Sequence, residues 1–198
     1  MIFSGAEIRG SLAGAWEIFK GNPRGLQGFD LSVAGFWRSF LIVVPLMIPY
    51  LLVSKAQLQI AISEFPGAED LELGSFYWIE AVRLLLDWFA FPVVLALLAK
   101  PLGIGRHYVG FVVVRNWSEL LAALPLLVAA LLYGLGLVGL DGFTFVSLIA
   151  TGVALYLRFR VARVALEANI SFAVGIVVFD MALSTVISLG FSRLVSFG

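Results

Sequence analysis

Five long apolar stretches separated by short polar interruptions dominate the chain, and they predict an all-α, polytopic integral membrane protein. A transmembrane helix needs roughly 20 apolar residues. The stretches at about 34–62, 75–99, 117–140, 143–163 and 169–191 are each of that order. The residues before them have another rhythm. Over 3–20, Ile8, Leu12, Ala15, Trp16 and Phe19 recur at +3/+4 spacing, with Glu7, Arg9, Glu17 and Lys20 on the other side. That pattern predicts an amphipathic helix lying in the plane of the headgroups, a layer to which Trp16 is suited. Residues 1–33 are therefore expected to form an interfacial arm and linker, and 34–198 a five-helix bundle.

Local punctuation refines this outline. GNPRGLQG at 21–28 ends the arm helix through its Gly and Pro residues. Asp30 or Ser32 is a suitable N-cap for the first span, with Trp37 and Arg38 anchoring its start. Pro45 and Pro49 each withhold a backbone donor, so kinks are expected there. SEFPGAEDLELG at 63–74 reads as an acidic turn, and Lys100–Pro101 closes the second span. Residues 102–115 are short and polar at their ends, and are expected to re-enter the bilayer or lie upon it. Asn116, with Glu119 three residues later, resembles a capping box, which would start the third span at Trp117. Asp141–Gly142 reads as a tight turn.

Composition narrows the class. Hydrophobic residues make up 61% of the chain and charged residues 13%, with a mean hydropathy of +1.03. A soluble domain would need far more polar surface. Cysteine is absent and His107 is the one histidine, which excludes disulfides, thiolate catalysis and Cys-rich or multi-His metal sites within one chain. No metal and no cofactor is expected. Thirteen basic and thirteen acidic residues cancel, leaving no field to attract nucleic acid. Met1–Lys20 lacks the basic leader and continuous apolar core of a cleaved signal. No GxSxG, HExxH or Walker A pattern occurs, so no enzyme is expected.

Basic residues set the orientation. With the N-terminus inside, the internal segments hold Arg9, Lys20, Arg24, Arg38, Lys100, Arg106, Arg115, Arg158, Arg160 and Arg163, and the external ones only Lys55 and Arg193. The positive-inside rule then predicts N-inside and C-outside, in the inner membrane of a bacterium. Arg106, Arg115, Arg158, Arg160 and Arg163 would form a basic rim able to hold anionic lipid headgroups.

The second span carries an anomaly. Within YWIEAVRLLLDWFAF (77–91), Glu80, Arg83 and Asp87 fall on one stripe. A central Arg or Asp costs about 2.5–3.5 kcal/mol on insertion scales, so two cost roughly 5–7 kcal/mol. The apolar residues of the span recover about as much, at about 0.3–0.6 kcal/mol each. A segment so close to break-even should turn its charges toward protein. Asp180, near the middle of the fifth span, is expected at the same depth and close to Arg83, giving an intramembrane network of Glu80, Arg83, Asp87 and Asp180. Small residues also recur at helical spacing, as in Ser147/Thr151/Ala154, Ala130/Gly134 and Ser171/Gly175, a signature of close helix approach.

These features lead to one functional expectation and two alternatives. The first is a non-catalytic accessory or scaffold subunit that docks other membrane subunits, or copies of itself, through charged and small-residue faces. The second is a small transporter or channel component using the Arg/Asp network. The third is a lipid-organising protein anchored by Ile8, Leu12, Trp16, Phe19 and Trp37, whose partner is the bilayer and its anionic lipids.

Overall fold

A computed structural model describes residues 3–64 and 73–196. Among these there is no strand, and seven α-helices follow in order: α1 (Gly5–Phe19), α2 (Val33–Ser39), α3 (Val43–Glu64), α4 (Leu73–Ala99), α5 (Tyr108–Gly134), α6 (Leu140–Ala165) and α7 (Ile170–Ser196). Two 3-10 turns, Pro23–Gly28 and Phe40–Ile42, complete them. Five stretches (Val33–Ser63, Phe76–Ala99, Tyr108–Gly134, Leu140–Ala165 and Ile170–Phe191) are long and apolar enough to span a membrane, which marks an integral membrane protein. The acidic turn read at 63–74 falls mostly on 65–72, outside the described residues.

Local chemistry explains most boundaries. Ser4 caps α1, its hydroxyl accepting from the Glu7 N–H at 3.0 Å, with Glu7 at the capping-box position. Ser32 caps α2 in the same way through the Gly35 N–H. Pro45 has no N–H to offer the Leu41 carbonyl, and the chain takes the 3-10 turn at Phe40–Ile42 just before it. The Phe40 carbonyl accepts from Trp88 Nε1 at 3.1 Å, tying this break to α4. Pro49 is accommodated inside α3.

Two expected boundaries are corrected. Helix α5 begins at Tyr108, so 108–115 is neither re-entrant nor superficial, and Trp117 lies well inside the helix. Asn116 and Glu119 do not cap; the Asn116 amide donates to Ser39 Oγ and Glu119 accepts from Arg158. With tertiary partners for both side chains, nothing competes with the helical ladder. Asp141–Gly142 is the first turn of α6 rather than a tight turn. The chain reverses at 135–139, where Gly136 adopts a positive φ of 70° that favours glycine.

The long helices alternate in direction, and α3, α4, α7, α6 and α5 form a closed ring in that order. The first half of α5 is its post: every residue from Phe111 to Glu119 is buried. Helix α1 lies against α5 and α6 at the end where α5 begins and α6 finishes. Phe3 meets Trp117 edge-on and Phe19 meets Tyr156, with centroids 5.2 and 5.4 Å apart. The arm is held by glycine contact. A Cβ on Gly14 would lie 2.5 Å from the Gly25 carbonyl oxygen and 2.8 Å from the Phe29 ring, so only glycine permits this approach. Arg38 adds charge pairs to Asp30 (2.6 Å) and Glu7 (3.2 Å).

Candidate functional site

The charged stripe of α4 faces protein. Glu80 is buried, and its Oε2 accepts from Tyr50 Oη at 2.9 Å and Ser54 Oγ at 3.0 Å, both on α3. Arg83 donates through Nε and Nη2 to Tyr50 Oη at 3.0 and 2.8 Å, and its Nη2 stands 3.0 Å from Glu80. Asp87 turns the other way, accepting from Ser184 Oγ of α7 at 2.7 Å. Leu86, Phe89 and Val93 point outward from the opposite side of the helix. The spacing on α4 fixes which residues share the stripe; α3 and α7 fix where each one points.

Asp180 is not beside Arg83. It is buried and lies 3.2 Å from Arg115 and 3.4 Å from Arg158. Depth along a span does not choose a partner; α7 sits between α4 and α6 in the ring, and Asp180 faces the α5–α6 side. Arg158 also makes a two-pronged contact with Glu119, at 2.9 and 3.0 Å, the strong planar form of an arginine–carboxylate pair. Arg115 and Arg158 therefore belong to an interior network rather than to a basic rim. The Arg115 guanidinium carbon lies 4.7 Å from the Phe91 centroid, a cation–π contact that offsets a buried Nη1 with no hydrogen-bond partner among the described residues.

The remaining rim arginines have separate neighbours. Arg160 Nε donates to the Ile18 carbonyl at 3.4 Å, near the C-terminal end of α1, where a cation is favoured. Arg163 Nη1 donates to the Ala168 carbonyl at 2.5 Å. Arg106 is exposed and reaches Glu167 at 4.0 Å. On the arm, Ile8, Leu12 and Trp16 are exposed, as is Trp37, whereas Ala15 is buried and Phe19 packs between Trp16 and Tyr156. The buried face of α1 is instead made of Ser11, Gly14, Ala15 and Ile18.

The interior charges surround a cleft of about 340 Å³ bounded by α3, α4, α5 and α6. Its charged lining is Arg83, Asp87, Arg115, Glu119 and Arg158, with Tyr50, Ser54, Gln57 and Thr151 adding polar groups. Leu46, Val53, Leu84, Leu126 and Leu155 supply apolar wall. A smaller cavity of about 20 Å³ shares Arg115, Glu119 and Arg158 with it and is also lined by Asp180. Sequence reading missed Tyr50, Ser54, Glu119 and Ser184 as members of the network. Glu119 carried a visible signal, an acid inside a long apolar run, and Ser184 stands at i+4 from Asp180 on one helical face; Tyr50 and Ser54 carried none.

Outside the spanning stretches, two carboxyls are held below their ordinary range. Asp30 owes this first to hydrogen bonds from Ser32 and then to Arg38; Glu17 owes it to Lys20 and then Asn22. Both fasten the arm and its linker rather than the cleft. Among the described residues, no group of acids and histidine is arranged to hold a metal ion. The chain matches no protein-family model, no curated protein and no solved structure.

Proposed function

We propose that this protein is a small membrane transporter or channel component that admits a polar solute into the cleft between α3, α4, α5 and α6. The observation that carries this reading is a charged cavity of about 340 Å³ in the middle of helices apolar enough to cross a bilayer. Charges that merely cemented helices could be replaced by apolar side chains at little or no loss of stability. A solute-binding role accounts for so many charges being kept around one cleft. The volume is at the lower end of small-molecule sites, roughly 300–1,000 Å³.

The arm end of the bundle is taken as cytoplasmic, supported by Arg9, Lys20, Arg24, Lys100, Arg106, Arg160 and Arg163 there against Lys55 on the far half of α3. Ile8, Leu12 and Trp16 then face the headgroups, where anionic lipids would meet the neighbouring bases. The inner membrane of a bacterium is the expected setting. Reconstitution tests the reading: liposomes containing the protein should take up at least one solute from a panel of labelled amino acids, sugars, organic acids and amines. Uptake no greater than in protein-free liposomes across the panel would contradict it.

A second reading, an accessory subunit, is favoured by one observation. Ser171 and Gly175 face outward on α7, and nothing lies within 4 Å of a Cβ built on Gly175. Such a pair admits a partner helix. Co-purification of a distinct membrane protein in mild detergent, lost on Gly175→Leu, supports it; a lone monomer contradicts it.

A further inference from the structure

A cation and a carboxylate one turn apart on α4 share the cleft wall and yet do not pair. Arg83 and Asp87 stand at i and i+4, the spacing at which opposite charges on a helix ordinarily meet, and both line the cavity. Their neighbours draw them apart. Arg83 is turned to α3, where it donates to Tyr50 and lies 3.0 Å from Glu80. Asp87 is turned to α7 by the Ser184 hydroxyl. Each keeps unused capacity, since Arg83 Nη1 and Asp87 Oδ1 have no hydrogen-bond partner among the described residues.

We infer that Arg83 and Asp87 form a divided site for a small zwitterion, the carboxylate of a free amino acid meeting Arg83 and its ammonium group meeting Asp87. In a site walled by apolar helices a charge with unused hydrogen-bonding capacity carries a desolvation cost that a counter-charge offsets: Asp87 makes no ion pair among the described residues, and Arg83 shares Glu80 but keeps Nη1 free. A simple anion would satisfy Arg83 but be repelled by Asp87, and a simple cation the reverse. A zwitterion satisfies both and brings no net charge into a low-dielectric region. Holding the two charges apart beforehand removes the reorganisation that breaking an ion pair would require. Leu84 and Leu155 on the cleft wall offer apolar surface to a side chain.

The inference rests on the cleft admitting a solute, and its test separates the two. Full-length protein in lipid nanodiscs is titrated by calorimetry with the common free amino acids. The tightest binder is then compared with the matched carboxylic acid lacking the amine and the matched amine lacking the carboxylate. Each truncated analogue should bind at least about tenfold more weakly, because it leaves one partly buried group of the cleft unmatched. Asp87→Asn should abolish the advantage of the amino acid over its deamino analogue, and the latter should itself bind more tightly than to the native protein, because the carboxylate that repelled it is gone. That gain shows that the variant is folded. An analogue binding as tightly as the amino acid, or no amino acid binding at all, overturns the assignment. Uptake by the same protein of a sugar or simple ion in liposomes would then leave the cleft as a solute path with a different cargo.

Discussion

Replacing Arg158 with methionine isolates the contribution of the α5–α6–α7 charges. Arg158 holds Glu119 by two hydrogen bonds at 2.9 and 3.0 Å and stands 3.4 Å from Asp180. In Arg158→Met, Asp180 keeps Arg115, but Glu119, only 8% exposed, is left with no cation in ion-pair contact among the described residues. Stranding one member of a buried pair costs about 3–5 kcal/mol. The unfolded chain in a membrane mimetic finds other partners, which places the expected loss near the lower end, about 3 kcal/mol or on the order of a hundredfold in the folding equilibrium. Reversible unfolding in mixed micelles, followed by circular dichroism as the denaturing detergent fraction rises, measures it. The double variant Arg158→Met with Glu119→Leu should recover to within about 1 kcal/mol of the native protein, since no charge is stranded. Solute binding should nevertheless be lost, because two charged groups have left the cleft lining. A double variant that regains both stability and binding would refute the reasoning and make the network purely structural.

Two further outcomes concern the arm. Gly25→Ala would place a Cβ 2.9 Å from Ile18 Cγ1 and closer still to the Gly14 carbonyl oxygen. Overpacking of this kind costs about 1–3 kcal/mol, so an added protease should cut the 20–32 linker faster in vesicles, whereas Gly175→Ala, with open space around it, should leave the cutting rate unchanged. Acid should loosen the same contacts. Asp30 and Glu17 have folded pKa values below their ordinary ones, so their stabilisation is present above the unfolded pKa and is lost as pH falls through the folded value. Hydrogen exchange in α1, corrected for its intrinsic pH dependence, should accelerate below about pH 4 and stay level from there to neutrality. The effect should also shrink with salt, because both groups are close to solvent.

The helices were legible in the sequence because each span had to be apolar along its whole length, a requirement set by the bilayer and not by tertiary contacts. Glu80, Arg83 and Asp87 were legible as one stripe for the same reason that any helical face is, through the 100° step per residue. The start of α5 was not, since Asn116-Trp117-Ser118-Glu119 carries the letters of an N-terminal cap while its side chains are used by Ser39 and Arg158. That misplaced Arg115, and with it one arginine of the interior network. Depth alone points Asp180 toward Arg83, whereas its partners follow from which helices flank α7. The hydroxyls that separate Arg83 from Asp87, Tyr50 and Ser184, lie 33 and 97 residues away from them in sequence. No local pattern could announce a pairing across that distance.

The absence of cysteine permits a direct reading of the cleft. Single Ala123→Cys and Ala154→Cys variants each place a thiol on its wall with minimal change in volume, and Leu148→Cys places one on the outer face of α6, where the native side chain is 68% exposed. Intact membrane vesicles are treated with a membrane-impermeant thiosulfonate, with and without the bound solute. The two cleft positions should be modified readily and protected by solute, while Leu148→Cys stays unmodified in lipid. If the cleft thiols are as unreactive as the lipid-facing one, the charges surround no water-accessible space and the proposed function fails.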